Sequence, residues 1–77
     1  SKLSLRAVAN GFEWTRTAPL ASSATVRVVD TKGRELHRST AMAGSVSGFV
    51  PSVGTGLRFV VLENGLERDV RPLTSTR

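Results

Sequence analysis

Short runs in which apolar and polar residues alternate fill most of the chain, each closed by glycine, asparagine, aspartate, proline or serine. No window of a dozen residues places apolar side chains at the i, i+3, i+4, i+7 spacing of an amphipathic helix with caps at both ends. A period of two predicts strands. The first covers residues 2–9, where Leu3 and Leu5 alternate with Ser4 and Arg6, and ends at Asn10-Gly11, a type I′ hairpin signal. The second covers residues 12–17, with Phe12 and Trp14 on one face and Glu13 and Thr15 on the other. "APLASS" follows as an irregular connection, since Pro19 has no N–H for a ladder.

Residues 25–30 form the third expected strand, Val26 and Val28 inward and Arg27 outward. Asp30-Thr31-Lys32-Gly33 has the order of a type I turn closed by a left-handed glycine, which gives a bulged hairpin. Its partner covers residues 34–40, with Leu36 inward and Glu35 and His37 outward. A small-residue loop, "AMAGS", leads to a short strand at 46–50 weakened by Gly48, and "PSVGTG" makes a second irregular connection. Residues 57–63 are the most apolar strand and are expected at the centre of a sheet, with Leu57, Phe59 and Val61 on one face and Arg58, Val60 and Leu62 on the other. Asn64-Gly65 turns the chain into residues 66–73, where Pro72 marks an edge or an ending. "TSTR" is expected to fray. Seven strands at this spacing predict an all-β fold, a small Ig-like antiparallel β-sandwich of about seven strands forming one domain over residues 1–77.

Composition narrows the chemistry. The chain has 77 residues and no cysteine, so disulfides and thiolate metal sites are excluded and the whole stability of a small core rests on packing. No apolar run approaches the roughly 20 residues of a membrane span, and "SKLSLRAVAN" lacks a signal-peptide core, so a soluble domain is expected, with any export signal on a longer precursor. Formal net charge is +5, carried mainly by arginine. That balance suits either a solvated charged face or an acidic partner, and guanidinium groups match phosphate, sulfate and carboxylate bidentately.

Catalytic signals are absent from the pattern. His37 is the sole histidine and reads as a surface residue. The six carboxylates (Glu13, Asp30, Glu35, Glu63, Glu67, Asp69) show no calcium-loop spacing, and nothing in their spacing promises an acid–base pair. No metal, cofactor or enzymatic activity is expected. Gly54-Thr55-Gly56 resembles the start of a phosphate loop but runs into a strand where such a loop opens a helix. Phe12 and Trp14 are the candidate aromatic platform for a sugar or a base; the competing reading puts Trp14 in the core. A single-stranded nucleic-acid reader stacks several bases on aromatics in a basic groove, and here the charge fits while the aromatics do not.

The order of elements is more telling than any one residue. "TVRVVDTKGREL", a glycine-containing spacer with Gly44, and "FVPSVGTGLRFVVLENGLERDVRPL" resemble the C-terminal sorting domain of proteins exported by the bacterial type IX secretion system. Asp30, the Gly33-Arg34 pair, Pro51, Gly56 and the strand at 59–62 fall in that family's order, over roughly residues 12–73. Two differences stand out: Val53, Gly54 and Thr55 are additional before Gly56, and Arg58 occupies a position where the family favours an aromatic. A proline-asparagine-proline motif is also missing before the first strand, and Pro72 interrupts the final basic strand.

The resemblance implies a non-catalytic C-terminal module of a larger secreted protein, such as a glycoside hydrolase. It would be read by the secretion machinery and left at the outer-membrane surface or released. On this reading Arg6, Arg16, Arg27, Arg58 and Arg71 are the expected outward basic residues, available to anionic surface glycan. The alternative is a carbohydrate-binding accessory module using Phe12 and Trp14.

Overall fold

A computed structural model describes residues 3–54, 56–65 and 67–74. Of the sequence expectations, Lys2 at the start of the first strand, Thr55 in the glycine loop, Leu66 at the start of the last strand and the tail at 75–77 lie outside the described residues. Among the described residues seven strands follow one another: β1 (Leu3–Val8), β2 (Gly11–Arg16), β3 (Ala24–Asp30), β4 (Glu35–Ala41), β5 (Ser47–Pro51), β6 (Leu57–Glu63) and β7 (Arg68–Thr74). They form two antiparallel sheets, β1-β2-β5 and β4-β3-β6-β7, stacked as an Ig-like β-sandwich. β6 is interior to its sheet and β7 is an edge, as the apolar run and Pro72 predict.

The turns decide which strands stay together. Tight hairpins keep β1 with β2, β3 with β4, and β6 with β7, while the longer connections at 17–23, 42–46 and 52–56 cross between sheets. The β3–β4 turn has the expected geometry. Gly33 N donates to the Asp30 carbonyl at 3.0 Å, Gly33 has φ of 84°, and Asp30 Oδ1 accepts from the backbone N–H of Lys32 and of Arg34, both at 2.9 Å.

Two local expectations need correction. Asn10-Gly11 does not make a type I′ turn: the central residues are Ala9 and Asn10, and of these only Asn10 has positive φ (67°). Gly11 already pairs with Val8 and Pro51 as a strand residue. It is glycine because a Cβ there would run into the Val50 carbonyl oxygen and lie 2.8 Å from Phe49 Cζ. The second correction is a bulge in β4. Val28 faces His37 but Val29 faces Glu35, so Leu36 is the extra residue. His37 therefore shares the face of Val28, Ser39 and Ala41 and is half-buried, while Leu36 also packs on the core.

The core draws Leu3 and Trp14 and Val50 from the first sheet, and Ala24, Val26, Val28, Val60, Leu62 and Leu73 from the second. Each fully buried Val or Leu contributes about 1.5–3 kcal/mol. Leu20, in the "APLASS" connection, is also buried, and it is tied down by Leu20 N to Ser45 O at 3.0 Å and Gly44 N to Leu20 O at 2.8 Å. That segment is thus a core plug as well as a crossover.

Candidate functional site

The arginines were the leading candidates, and strand alternation scatters them. On the outer face of the four-stranded sheet, Arg27 (β3) and Arg38 (β4) stand directly opposite each other, an unfavourable like-charge pair unless something intervenes. Glu35 intervenes. It takes Arg38 through Nε and NH2 at 3.1 and 2.9 Å and sits 4.0 Å from Arg27 NH1. Arg27 NH2 then reaches Glu63 on β6 at 2.8 Å, and Arg68 Nε on β7 lies 3.9 Å from the other Glu63 oxygen. This ladder crosses all four strands with three cations and two anions, a net +1. Exposed pairs contribute at most about 1 kcal/mol each, so its effect on stability is small. Its effect on the surface is larger: the face is nearly neutral.

Arg6 lies on the outer face of the other sheet, largely exposed, and pairs with its cross-strand neighbour Glu13. Arg71, expected outward, instead faces buried Val60 on the inward side of β7; it is half-buried and donates from Nε to the Leu3 carbonyl at 2.7 Å, stitching β7 to β1.

Arg16 and Arg58 are not outward at all, which corrects the sequence expectation. Arg16 falls on the inward face of β2 with Phe12 and Trp14; its side chain is 2% exposed and NH2 reaches Glu67 Oε1 at 3.1 Å. Arg58 shares the inward face of β6 with Val60 and Leu62 and is 1% exposed. Its guanidinium donates to backbone carbonyls of the preceding loop: Nε to Gly56 O at 3.0 Å, and NH1 to Val53 O at 2.5 Å and Gly54 O at 3.4 Å. Among the described residues no carboxylate pairs with it. The signal for both was in the sequence, since each has the parity of its strand's apolar residues; their charge argued the other way. Long aliphatic stems reconcile the two, lying in the apolar layer while the head finds polar groups at its rim.

The glycine-rich loop thus has the wrong polarity for a phosphate. It turns carbonyls toward a cation, with Gly54 and Gly56 both at φ of 73°. The aromatic platform fails too: Trp14 is 3% exposed, its indole edge laid over Gly48, and Phe12 packs against the core half-buried. The exposed aromatic is Phe49 at 53%, which alternation in a weak strand did not single out. No group of three or more His, Asp or Glu among the described residues is placed to hold a metal ion. No helix of the described residues is long and apolar enough to cross a membrane.

Two concavities stand out among the described residues. A cleft of about 330 Å³ lies where β1 meets β7, lined by Leu3, Ser4, Leu5, Arg71 and Pro72. A groove of about 290 Å³ lies at the opposite side of the sandwich, between the β4 and β5 edges, with Trp14 and Val26 at its lining and Ser39, Thr40, Ser45 and Ser47 among its polar residues.

Two surface carboxylates respond to this architecture. The Arg34 backbone N–H, with help from Lys32 N–H and the Arg34 guanidinium, holds Asp30 below its ordinary 3.8. The Arg38 hydrogen bond, with the Arg38 and Arg27 charges, holds Glu35 below its ordinary 4.5. Folded-state values below unfolded ones mean stability that is fully present above the ordinary values and is lost as pH falls through the lowered ones. The Tm advantage of the native chain over an Asp30→Asn/Glu35→Gln variant, followed by circular dichroism, is expected to hold down to about pH 5 and to shrink progressively below it. A gap that stays constant into acid would show that these carboxylates titrate alike in both states.

No protein-family model matches the chain, and no curated protein matches its sequence.

Proposed function

We propose that this domain is a non-catalytic sorting and anchoring module, the C-terminal unit by which a larger secreted protein is recognised by a type IX secretion system and delivered to the bacterial surface. The observation that carries the reading is a coupling between the two chief departures from that family's pattern. The additional residues Val53 and Gly54 and the unexpected Arg58 touch each other: Arg58 binds the carbonyls of Val53, Gly54 and Gly56. Two of the departures in sequence are therefore one local change, an enlarged loop and the buried cation that organises it, set within the family's order of hairpin, spacer and central strand. The Asp30–Gly33 hairpin, the other half of the likeness, adopts the bulged turn that its sequence implies.

The partners in this reading are the secretion machinery and the parent protein's other domains. Arg6 and Arg27, the outward members of the basic set, are each engaged by a carboxylate, which weakens the case for an anionic glycan as the principal ligand. Burial of Trp14 removes the platform of a carbohydrate-binding accessory module.

The test is export. A reporter bearing its own signal peptide, with this chain at its C-terminus, is expected to reach the surface or medium of a bacterium that has a type IX system, and to stay in the periplasm when the secretion channel is deleted. Retention in the periplasm of the intact strain, while an endogenous sorting domain on the same reporter is exported, would rule the proposal out.

A further inference from the structure

Among the described residues the two sheets end in four edge strands, and three of them carry charged side chains. Edges of sheets are kept from pairing with other chains by charged side chains and proline. β1 carries Arg6; β4 carries Glu35 and Arg38; β7 carries Arg68, Asp69, Arg71 and Pro72. β5 carries no charge, and it lies in the longest uncharged part of the chain: the 11 basic and 6 acidic residues all fall outside residues 39–57.

The inner edge of β5 is used. It pairs with β2 from Ser47 to Pro51, and Arg16 N to Val46 O at 2.8 Å continues the ladder by one residue. Its outer edge is paired with no strand among the described residues. Beside that edge runs the groove lined by Ser39, Thr40, Met42, Ser47 and Phe49, and around it Met42, Val46 and Phe49 are 70%, 46% and 53% exposed. Pro51, which lacks an N–H, closes the edge at one end.

We propose that the outer edge of β5 captures an extended, uncharged segment of another polypeptide by strand addition, with that segment's alternate side chains resting in the groove between β5 and β4. The chemistry selects this occupant. A row of backbone donors and acceptors is satisfied in register only by another backbone. A charged segment would have to leave water beside a rim holding no counter-charge, which is costly. A second copy of this chain is disfavoured because each copy brings a net charge of +5. The edge accepts such a segment whatever protein the module is attached to, so the export assay and the following one can fail independently.

The probe is the synthetic peptide acetyl-Ser-Val-Thr-Val-Thr-Val-Ser-amide, titrated into the isotopically labelled chain and followed by NMR. Backbone amide shifts are expected at residues 46–50 and along the β4 rim. They should vanish with the same peptide N-methylated at its five central residues, which cannot extend a ladder. Ser47→Lys, an outward substitution that restores the missing guard, is expected to weaken binding about tenfold or more while the near-ultraviolet circular dichroism of Trp14 stays native. Equal binding of the methylated peptide, or no shifts at millimolar peptide, would overturn the proposal. So would concentration-dependent dimerisation blocked by Ser47→Lys, which would make a second copy the occupant.

Discussion

Replacing Arg58 by alanine is expected to leave most of the protein unfolded at room temperature, whereas Arg58→Met leaves it folded but weakened. The side chain is buried and holds three loop carbonyls. Alanine strands those carbonyls and opens a cavity where the stem lay against Gly54, 3.3 Å from Arg58 Cδ to the position of a Cβ there. Truncating a long buried side chain to alanine costs about 2–5 kcal/mol in lost packing and cavity, and the unsatisfied carbonyls add about 1–3 kcal/mol. A disulfide-free domain of this size has a net stability of only about 3–5 kcal/mol, so the loss consumes nearly all of it. Methionine keeps the stem volume and also removes a guanidinium whose NH2 is buried without a partner, so its cost falls to the about 1–3 kcal/mol of unsatisfied carbonyls. Urea titration followed by Trp14 emission separates the two. A native-like midpoint for Arg58→Ala would mean that the loop is held by something else.

This residue also shows where sequence reasoning reached and where it stopped. The hairpins, the central place of β6 and the edge position of β7 were legible because turn chemistry and hydrophobic period are local. Arg16 and Arg58 were not, because their charge and their parity point to opposite faces; only the stacked second sheet shows that an apolar layer of one stem's depth is available. The β4 bulge moved His37 to the other face, and a one-residue slip of that kind depends on how β3 sits between β4 and β6. Leu20 was hidden in an irregular connection, where no period marks a buried position. The unguarded edge of β5 needed the sheet order, since charge along a strand means little until it is known which strands are at the edge.

The second large effect is expected at Gly48, and it should depend on Trp14. The two residues are direct cross-strand partners, and a Cβ on Gly48 would lie 2.6 Å from Trp14 Nε1, 2.7 Å from Cε2 and 2.8 Å from Cζ2. The indole is 3% exposed and cannot retreat without repacking the core, while β5 cannot withdraw without breaking its ladder to β2. Overpacking of this kind costs about 1–3 kcal/mol, which for a domain of this size lowers Tm by roughly 4–8 °C per kcal/mol. Trp14→Phe alone destabilises by less than the about 3–5 kcal/mol of a truncation to alanine, and it removes the ring atoms that the new methyl would strike. The Gly48→Ala/Trp14→Phe double variant should therefore be more stable than the sum of the single losses allows, by about 0.5–3 kcal/mol, in thermal unfolding followed by circular dichroism. Gly11→Ala is the contrast. Its methyl would meet the Val50 carbonyl oxygen as well as the Phe49 ring, so trimming Phe49 to alanine leaves the backbone collision in place and should not restore stability. Additive losses at Gly48 and Trp14, or rescue of Gly11→Ala by Phe49→Ala, would show that the close approach of β5 to β2 is not what requires glycine at these two positions.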